Sequence, residues 1–234
     1  MNNIELTTFY INQVPKDIVF LNEINSRHAI KSLRLKKGDH IKVVNGKGDL
    51  FYSKILDPHP KKTELSILKK ESYKKEIPLI LAFSPTKNND RNEWVIEKGV
   101  EIGMTECYPI FSQNSERRKW NKERMDKIAI SAMKQSGRFW LTKIHEPMNI
   151  ESFLTINHPH NKFIAHCKSS KKESIHKLSN AYEPQLILIG PEGDFTEKEI
   201  KMAEKNKFTP VNLGNNRLRT ETACITSIAL LKLS

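Results

Sequence analysis

Cysteine is scarce in this chain, with three in 234 residues at positions 107, 167 and 224, no CxxC pair and no histidine at ligand spacing. Such a set argues against a disulfide framework and against a structural zinc, so no metal is expected. Each cysteine sits in an apolar stretch that suits core packing. Long apolar runs are also missing: the longest, such as Leu186-Ile187-Leu188-Ile189, are strand-sized and far short of a membrane span. The first residues, Met1-Asn2-Asn3-Ile4-Glu5, lack the basic start and apolar centre of a secretory signal. A cytoplasmic protein with no membrane partner is expected. Neither GxGxxG nor a P-loop occurs, which removes the commonest dinucleotide and triphosphate sites.

Acidic charge is short as well, with 27 Asp+Glu against 39 Lys+Arg, for a net charge of +12. Residues 1–70 hold 13 basic and 7 acidic side chains, so the first third carries half of the excess. That field attracts a polyanion in a salt-sensitive way, although a lysine-rich solvated surface has the same composition. A hydrophobic share of 38% with 28% charged residues is that of a chain able to bury a real core.

Residues 1–72 read as a small β-rich unit with one helix. Ile24 to Leu35 predicts a helix with Ile30 and Leu33 inward, while Arg27, Lys31 and Arg34 recur on another face. His40 to Val44 alternates, Asn45-Gly46 signals a hairpin, and Leu50 to Leu56 and Glu64 to Leu68 read as further strands. A small barrel with a basic helix fits this pattern. The polar run Glu71 to Pro78 marks the boundary, and residues 73–234 alternate strand and helix. Strands are predicted at Leu79–Phe83, Glu106–Phe111, Lys162–His166, Gln185–Ile189 and Thr209–Leu213. Helices are predicted at Asp90–Ile102, Lys122–Gln135, Ser174–Asn180, Thr196–Asn206 and Thr220–Leu233. The alternation gives an α/β domain whose parallel sheet is covered on both faces.

Ligands of such sheets bind beyond the carboxyl ends of the strands, and two loops there are unusual. Gly190-Pro191-Glu192-Gly193-Asp194 precedes a helix whose start carries a capping box, Thr196 with Glu199. Its glycines let backbone approach a ligand, and its carboxylates disfavour phosphate while tolerating a cation, an amine or hydroxyls. The second loop runs from Leu213 through Gly214-Asn215-Asn216-Arg217-Leu218-Arg219 to Thr220-Glu221-Thr222-Ala223, into an apolar final helix. A plain structural turn is the alternative for the first loop, and helix capping is the alternative for Thr220 and Thr222.

At these loops the sequence resembles the RsmE-type 16S rRNA uridine N3-methyltransferases of the SPOUT superfamily. The resemblance extends over nearly the whole chain, through His28 to Leu35 with Gly38-Asp39, Lys98 to Gly103, Ser112 with Glu116-Arg117, and Gln135-Ser136-Gly137-Arg138. It implies an N-terminal PUA-like β-barrel for RNA binding and a C-terminal trefoil-knotted domain that binds S-adenosylmethionine. It also implies a homodimer acting on 16S rRNA within the small ribosomal subunit. The cofactor would be enclosed by Gly190, Glu192, Gly193, Leu213, Gly214, Leu218, Arg219, Thr220 and Thr222. This chain departs from the family pattern at Asn216-Arg217 in the second loop and at Lys134, where the family carries a glutamate.

Uracil N3 is a poor nucleophile until its proton leaves, and it lies on the Watson–Crick edge, so the target base must be unpaired. Arg138 and Arg219 are expected to hold a phosphate or a uracil carbonyl, and Glu221 or Glu192 to accept the proton, with capping as the alternative for Glu221. Arg27, Lys31 and Arg34 form one expected RNA face. Arg117-Arg118-Lys119-Trp120 and Arg138-Phe139-Trp140 pair cations with aromatics suited to phosphate contact and base stacking. Trp94, beside Val95 on a helix, is expected in the core.

Overall fold

The computed structural model describes residues 6–116, 118–158, 161–168 and 172–233. The chain divides into two units, one formed by residues 1–75 with 133–141, the other by residues 76–132 with 142–234.

The first unit is built on a five-stranded sheet. Its strands are β1 (Thr8–Tyr10), β2 (Ile18–Phe20), β3 (His40–Val44), β4 (Asp49–Asp57) and β5 (Glu64–Ser72), in the order β1-β3-β4-β5-β2. All neighbours are antiparallel except β1 with β3. β1 and β2 have three residues each, too short to show alternation in sequence, and were not predicted. Phe9, Val19, Ile41, Val43, Phe51, Ile55 and Leu65 fill the core under the sheet. Asn45 closes the predicted hairpin by accepting the amides of Lys47 (2.9 Å) and Asp49 (3.2 Å) through its side chain.

The predicted helix from Ile24 to Leu35 is shorter and differently wound. α1 spans Glu23–Arg27, capped by Asn22, and a π-helical stretch follows at His28–Ser32. The wider turn changes which side chains face the core. Ser26 and Ala29 are buried and Ile30 packs beside them, but Leu33 is exposed, contrary to the 3.6-residue expectation. Arg34 follows in the left-handed region at φ 56°. Residues 133–141 join this unit through Trp140, whose indole N–H donates to the carbonyls of Tyr73 (3.2 Å) and Lys74 (2.9 Å). The ring lies so close over Gly48 that a Cβ there would sit 2.5 Å from it, and Phe139 stacks on Tyr73 with centroids 3.8 Å apart. These two aromatics are staples of the unit, not the open base-stacking platform expected from their sequence.

The second unit is a parallel α/β domain. Its strands are β6 (Leu79–Phe83), β7 (Glu106–Phe111), β8 (Lys143–Ile144), β9 (Met148–Asn149), β10 (Asn161–Ala165), β11 (Glu173–Ser174), β12 (Gln185–Ile189) and β13 (Thr209–Asn212). The order is β11-β13-β10-β12-β6-β7-β8, with β9 paired to the far end of β7, and every pairing is parallel. The helices are α2 (Asn89–Ile102), α3 (Lys122–Gln135), α4 (Ile150–Thr155), α5 (Ile175–Leu178), α6 (Glu197–Lys205) and α7 (Thr220–Leu233). The five predicted strands and five predicted helices are all present within one or two residues. What pattern reading missed, β8, β9, β11 and α4, is short.

Side chains alternate across the sheet. Ile80, Ala82, Ile110, Ile164, Leu186 and Leu188 share one face with Phe153 of α4 and Ile200 of α6. α2 packs against α7, which lies on β6 and β12. β13 pairs with β10 at one side of the sheet, so the chain leaving it must cross the carboxyl ends of β10 and β12 before α7 begins.

Candidate functional site

The loop after β12 is set by its neighbours. Thr196 and Glu199 form the predicted capping box at the start of α6, and Glu199 also accepts the amide of Gln113 at 2.8 Å. Asn114, on the loop after β7, donates to the carbonyls of Gly193 (3.3 Å) and Asp194 (2.9 Å). Asp194 adopts φ 62°, a conformation unusual for a side chain with a Cβ. Its carboxylate accepts the amides of Phe195 (2.8 Å) and Cys167 (2.8 Å), tying this loop to the one after β10. The Thr220 hydroxyl donates to the carbonyl of Gly190 at 3.2 Å, which ties it to the start of α7.

Three loops at the carboxyl ends of β10, β12 and β13 thus line an open cavity of about 960 Å³, within the range of small-molecule sites. Gly190 and Glu192 contribute from the first predicted loop, and Leu213, Gly214, Leu218, Arg219 and Thr220 from the second. Gly193, Thr222 and Glu221 are outside the wall. Gly193 faces Asn114, where an added Cβ would meet Cβ at 3.2 Å, Thr222 is exposed, and Glu221 turns towards Arg91 at 3.2 Å. Gly214, at φ 129° with open space where a Cβ would lie, adopts backbone that only glycine takes without strain.

Sequence reading missed one wall of the site. Ala165, His166, Cys167 and Lys172 line it from β10 and the loop that follows, and Arg91 lines it from the first turn of α2. Lys172 Nζ donates to the His166 carbonyl at 2.5 Å. Burial, and then the Lys172 charge, lower the His166 pKa below its ordinary value, which keeps the ring neutral. Among the described residues His166 Nε2 is buried without a hydrogen-bond partner, an unmet polar group of the sort a ligand satisfies. Arg91, Lys172, Arg217 and Arg219 share the wall with Glu192 and Asp194. The site is therefore mixed in charge, not the phosphate-repelling acidic loop that the first motif alone suggested.

These features fit S-adenosylmethionine. The wall offers carboxylates for a sulfonium or amine, cations for a carboxylate, an unpaired imidazole nitrogen for a hydroxyl or ring nitrogen, and backbone open to close approach.

The other predicted residues lie elsewhere. On the first unit, Arg27, Lys31 and Arg34 are exposed, with Arg27 ion-paired to Glu23 at 2.7 Å, and Arg138 follows Gly137, whose φ is 69°. Arg118 donates to the Ser112 carbonyl at 3.3 Å; Arg117 lies outside the described residues. Trp120 packs edge-on to Phe83 with centroids 6.0 Å apart, so its ring belongs to the interior. Trp94, expected in the core, is 42% exposed, because Val95 and Ile96 take the buried positions of α2.

Known proteins share this architecture. Residues 73–232 match the model of the RNA methyltransferase domain, and residues 21–68 that of the RNA methyltransferase PUA domain. A ribosomal RNA small subunit methyltransferase E from Buchnera aphidicola is 31% identical, over 99% of this chain and 90% of the relative. A probable rRNA methyltransferase from Porphyromonas gingivalis superimposes with a TM-score of 0.88 at 34% identity, covering 95% of each chain. The methyltransferase E of Neisseria gonorrhoeae, solved bound to S-adenosylmethionine, superimposes with a TM-score of 0.88 at 26% identity, covering 98% of each chain. With its architecture, its two diagnostic loops and nearly its full length accounted for, the chain belongs to the RNA methyltransferase family that includes the small-subunit ribosomal RNA methyltransferases E.

Proposed function

We propose that this chain transfers a methyl group from S-adenosylmethionine to N3 of a uridine in 16S ribosomal RNA, as a cytoplasmic homodimer acting on the small ribosomal subunit. In this reading residues 1–72 bind RNA and residues 73–234 carry the reaction. The observation that carries it is the convergence of loops 190–194 and 213–220, which bear the family resemblance, on one cavity of about 960 Å³. The names of the near-full-length relatives support the substrate class.

When bound, S-adenosylmethionine supplies a methyl group already made electrophilic by its sulfonium. The protein's tasks are then placement of the base and control of charge. Arg219, exposed and part of the cavity wall, is suited to a uracil carbonyl, where it favours the N3 anion. Glu192, exposed on the same wall, is the carboxylate best suited to take the N3 proton. Arg138 is assigned to a phosphate. Arg27, Lys31 and Arg34, with Arg117 and Arg118, supply sequence-independent contacts to the RNA backbone. Homodimer formation rests on the family resemblance.

Mass spectrometry of ribosomal RNA nucleosides from a strain lacking this chain tests the reading. Loss of 3-methyluridine from 16S rRNA, restored by the intact gene, is the expected result. An unchanged level refutes the substrate.

A further inference from the structure

In sequence, Arg91 is one charge among several near the start of a surface helix. The fold gives it a different setting. Its Nη1 lies 3.2 Å from Oε1 of Glu221, in the first turn of α7, and the two side chains are 39% and 12% exposed. Arg91 lines the cavity, whereas Glu221 is not part of its wall. The backbone carrying Arg91 is pinned by its neighbour: Asn92 accepts the Thr86 amide at 2.8 Å and donates to the Thr86 carbonyl at 2.9 Å. Among the described residues the other oxygen of Glu221, Oε2, is buried without a hydrogen-bond partner, so the pair to Arg91 is the contact this carboxylate makes there. Two residues along, Glu93 pairs with Arg124 at 2.9 Å; neither of that pair lines the cavity, and it reads as an ordinary surface contact.

Guanidinium carries five donors in a rigid fork, so a pair through Nη1 leaves donors for the cavity. Fixing such a group before a ligand arrives removes the ordering loss that a free arginine suffers on binding. The remaining cations of the wall differ: Arg217 and Arg219 are exposed on the loop, and Lys172 is engaged by the His166 carbonyl. We infer that Arg91 is an oxyanion-binding group of this cavity, held ready by Glu221 as its positioning residue. The inference rests on the cofactor reading above. The oxyanion has two sources there, the carboxylate of the cofactor's amino-acid portion and the phosphate of the target nucleotide.

The test compares the full chain with Arg91→Gln, Arg91→Lys and Glu221→Gln, by calorimetry and thermal melting. The probes are S-adenosylhomocysteine, 5′-methylthioadenosine, which lacks the amino-acid portion, and an RNA oligonucleotide. If the carboxylate is the ligand, Arg91→Gln weakens S-adenosylhomocysteine about tenfold or more and leaves methylthioadenosine unchanged. If the phosphate is the ligand, both nucleosides bind normally and RNA affinity falls with a shallower salt dependence. In either case Arg91→Lys recovers part of the loss. Glu221→Gln weakens the same ligand less, and the double variant is no worse than Arg91→Gln. Unchanged affinity for all three probes overturns the inference, as does a uniform loss that tracks a lower melting temperature, which marks a structural strut. A pH–rate profile that loses its acid limb in Glu221→Gln overturns the positioning role. A wild-type chain that binds neither nucleoside refutes the cofactor reading itself, which separates that failure from this one.

Discussion

The hydroxyl of Thr220 donates to the carbonyl of Gly190 across 3.2 Å, joining the start of the last helix to a loop 30 residues earlier. Both residues line the cavity, and Thr220 is 5% exposed. This bond holds together the two segments on which the cofactor assignment rests. Thr220→Val keeps the volume but leaves the Gly190 carbonyl unmet, at a cost of about 1–3 kcal/mol. Thermal melting should fall accordingly and S-adenosylhomocysteine affinity should drop, while Thr220→Ser retains both. Equal behaviour of the valine and serine variants would show that the bond is incidental.

Gly193 packs against Asn114 and is not part of the cavity wall. A Cβ at 193 would lie 3.2 Å from the Asn114 Cβ, on the side chain that donates to Gly193 and Asp194. Gly193→Val should therefore weaken cofactor binding by displacing the loop, and Asn114→Gly in the same chain should restore part of it. Calorimetry of the single and double variants checks this. A double variant as weak as the single would mean that the side chain meets the ligand directly.

Cys167 offers a reporter inside the cavity. It is exposed on the wall, whereas Cys107 and Cys224 are buried and burial pushes both thiols up, away from the reactive thiolate. Ellman's reagent should label one thiol per native chain and three after unfolding, with Cys167→Ser losing the native signal. Saturating S-adenosylhomocysteine should slow the native reaction. Labelling at the same rate with and without it would place the ligand elsewhere.

Two histidines make stability depend on pH. Burial holds the pKa of both His158 and His166 below the ordinary 6.5. The unfolded chain therefore takes up protons near pH 6.5 that the folded chain does not accept until lower pH. Their contribution is present above the unfolded value and is lost as pH falls through the window beneath it. Melting temperature should decline as pH is lowered from 7 through about 6, and His158→Gln should flatten that decline. A variant with the same slope as wild type would remove His158 from the account.

Much of the second unit was legible because its long strands and helices carry strong periodic signals. Leu186–Ile189 is a continuous apolar run, and Lys122–Gln135 and Thr220–Leu233 keep their predicted bounds. Three-residue strands carry no period, and a π turn rotates every residue after it, which is why β1, β2 and the exposure of Leu33 escaped. The two loops stood out through glycine and capping chemistry in the local sequence. Their third wall did not, because His166 and Arg91 become site residues only through strand order and helix packing, which no local spacing encodes. Trp140 misled for the same reason: its partners, Gly48, Tyr73 and Lys74, are remote in sequence.

Calorimetric titration of the intact chain with S-adenosylmethionine tests the central claim, that the three loops form a cofactor cavity. Saturable binding at one site per chain, weakened in Thr220→Val, is the predicted result. No heat at high cofactor concentration, from a chain that melts cooperatively, would contradict it.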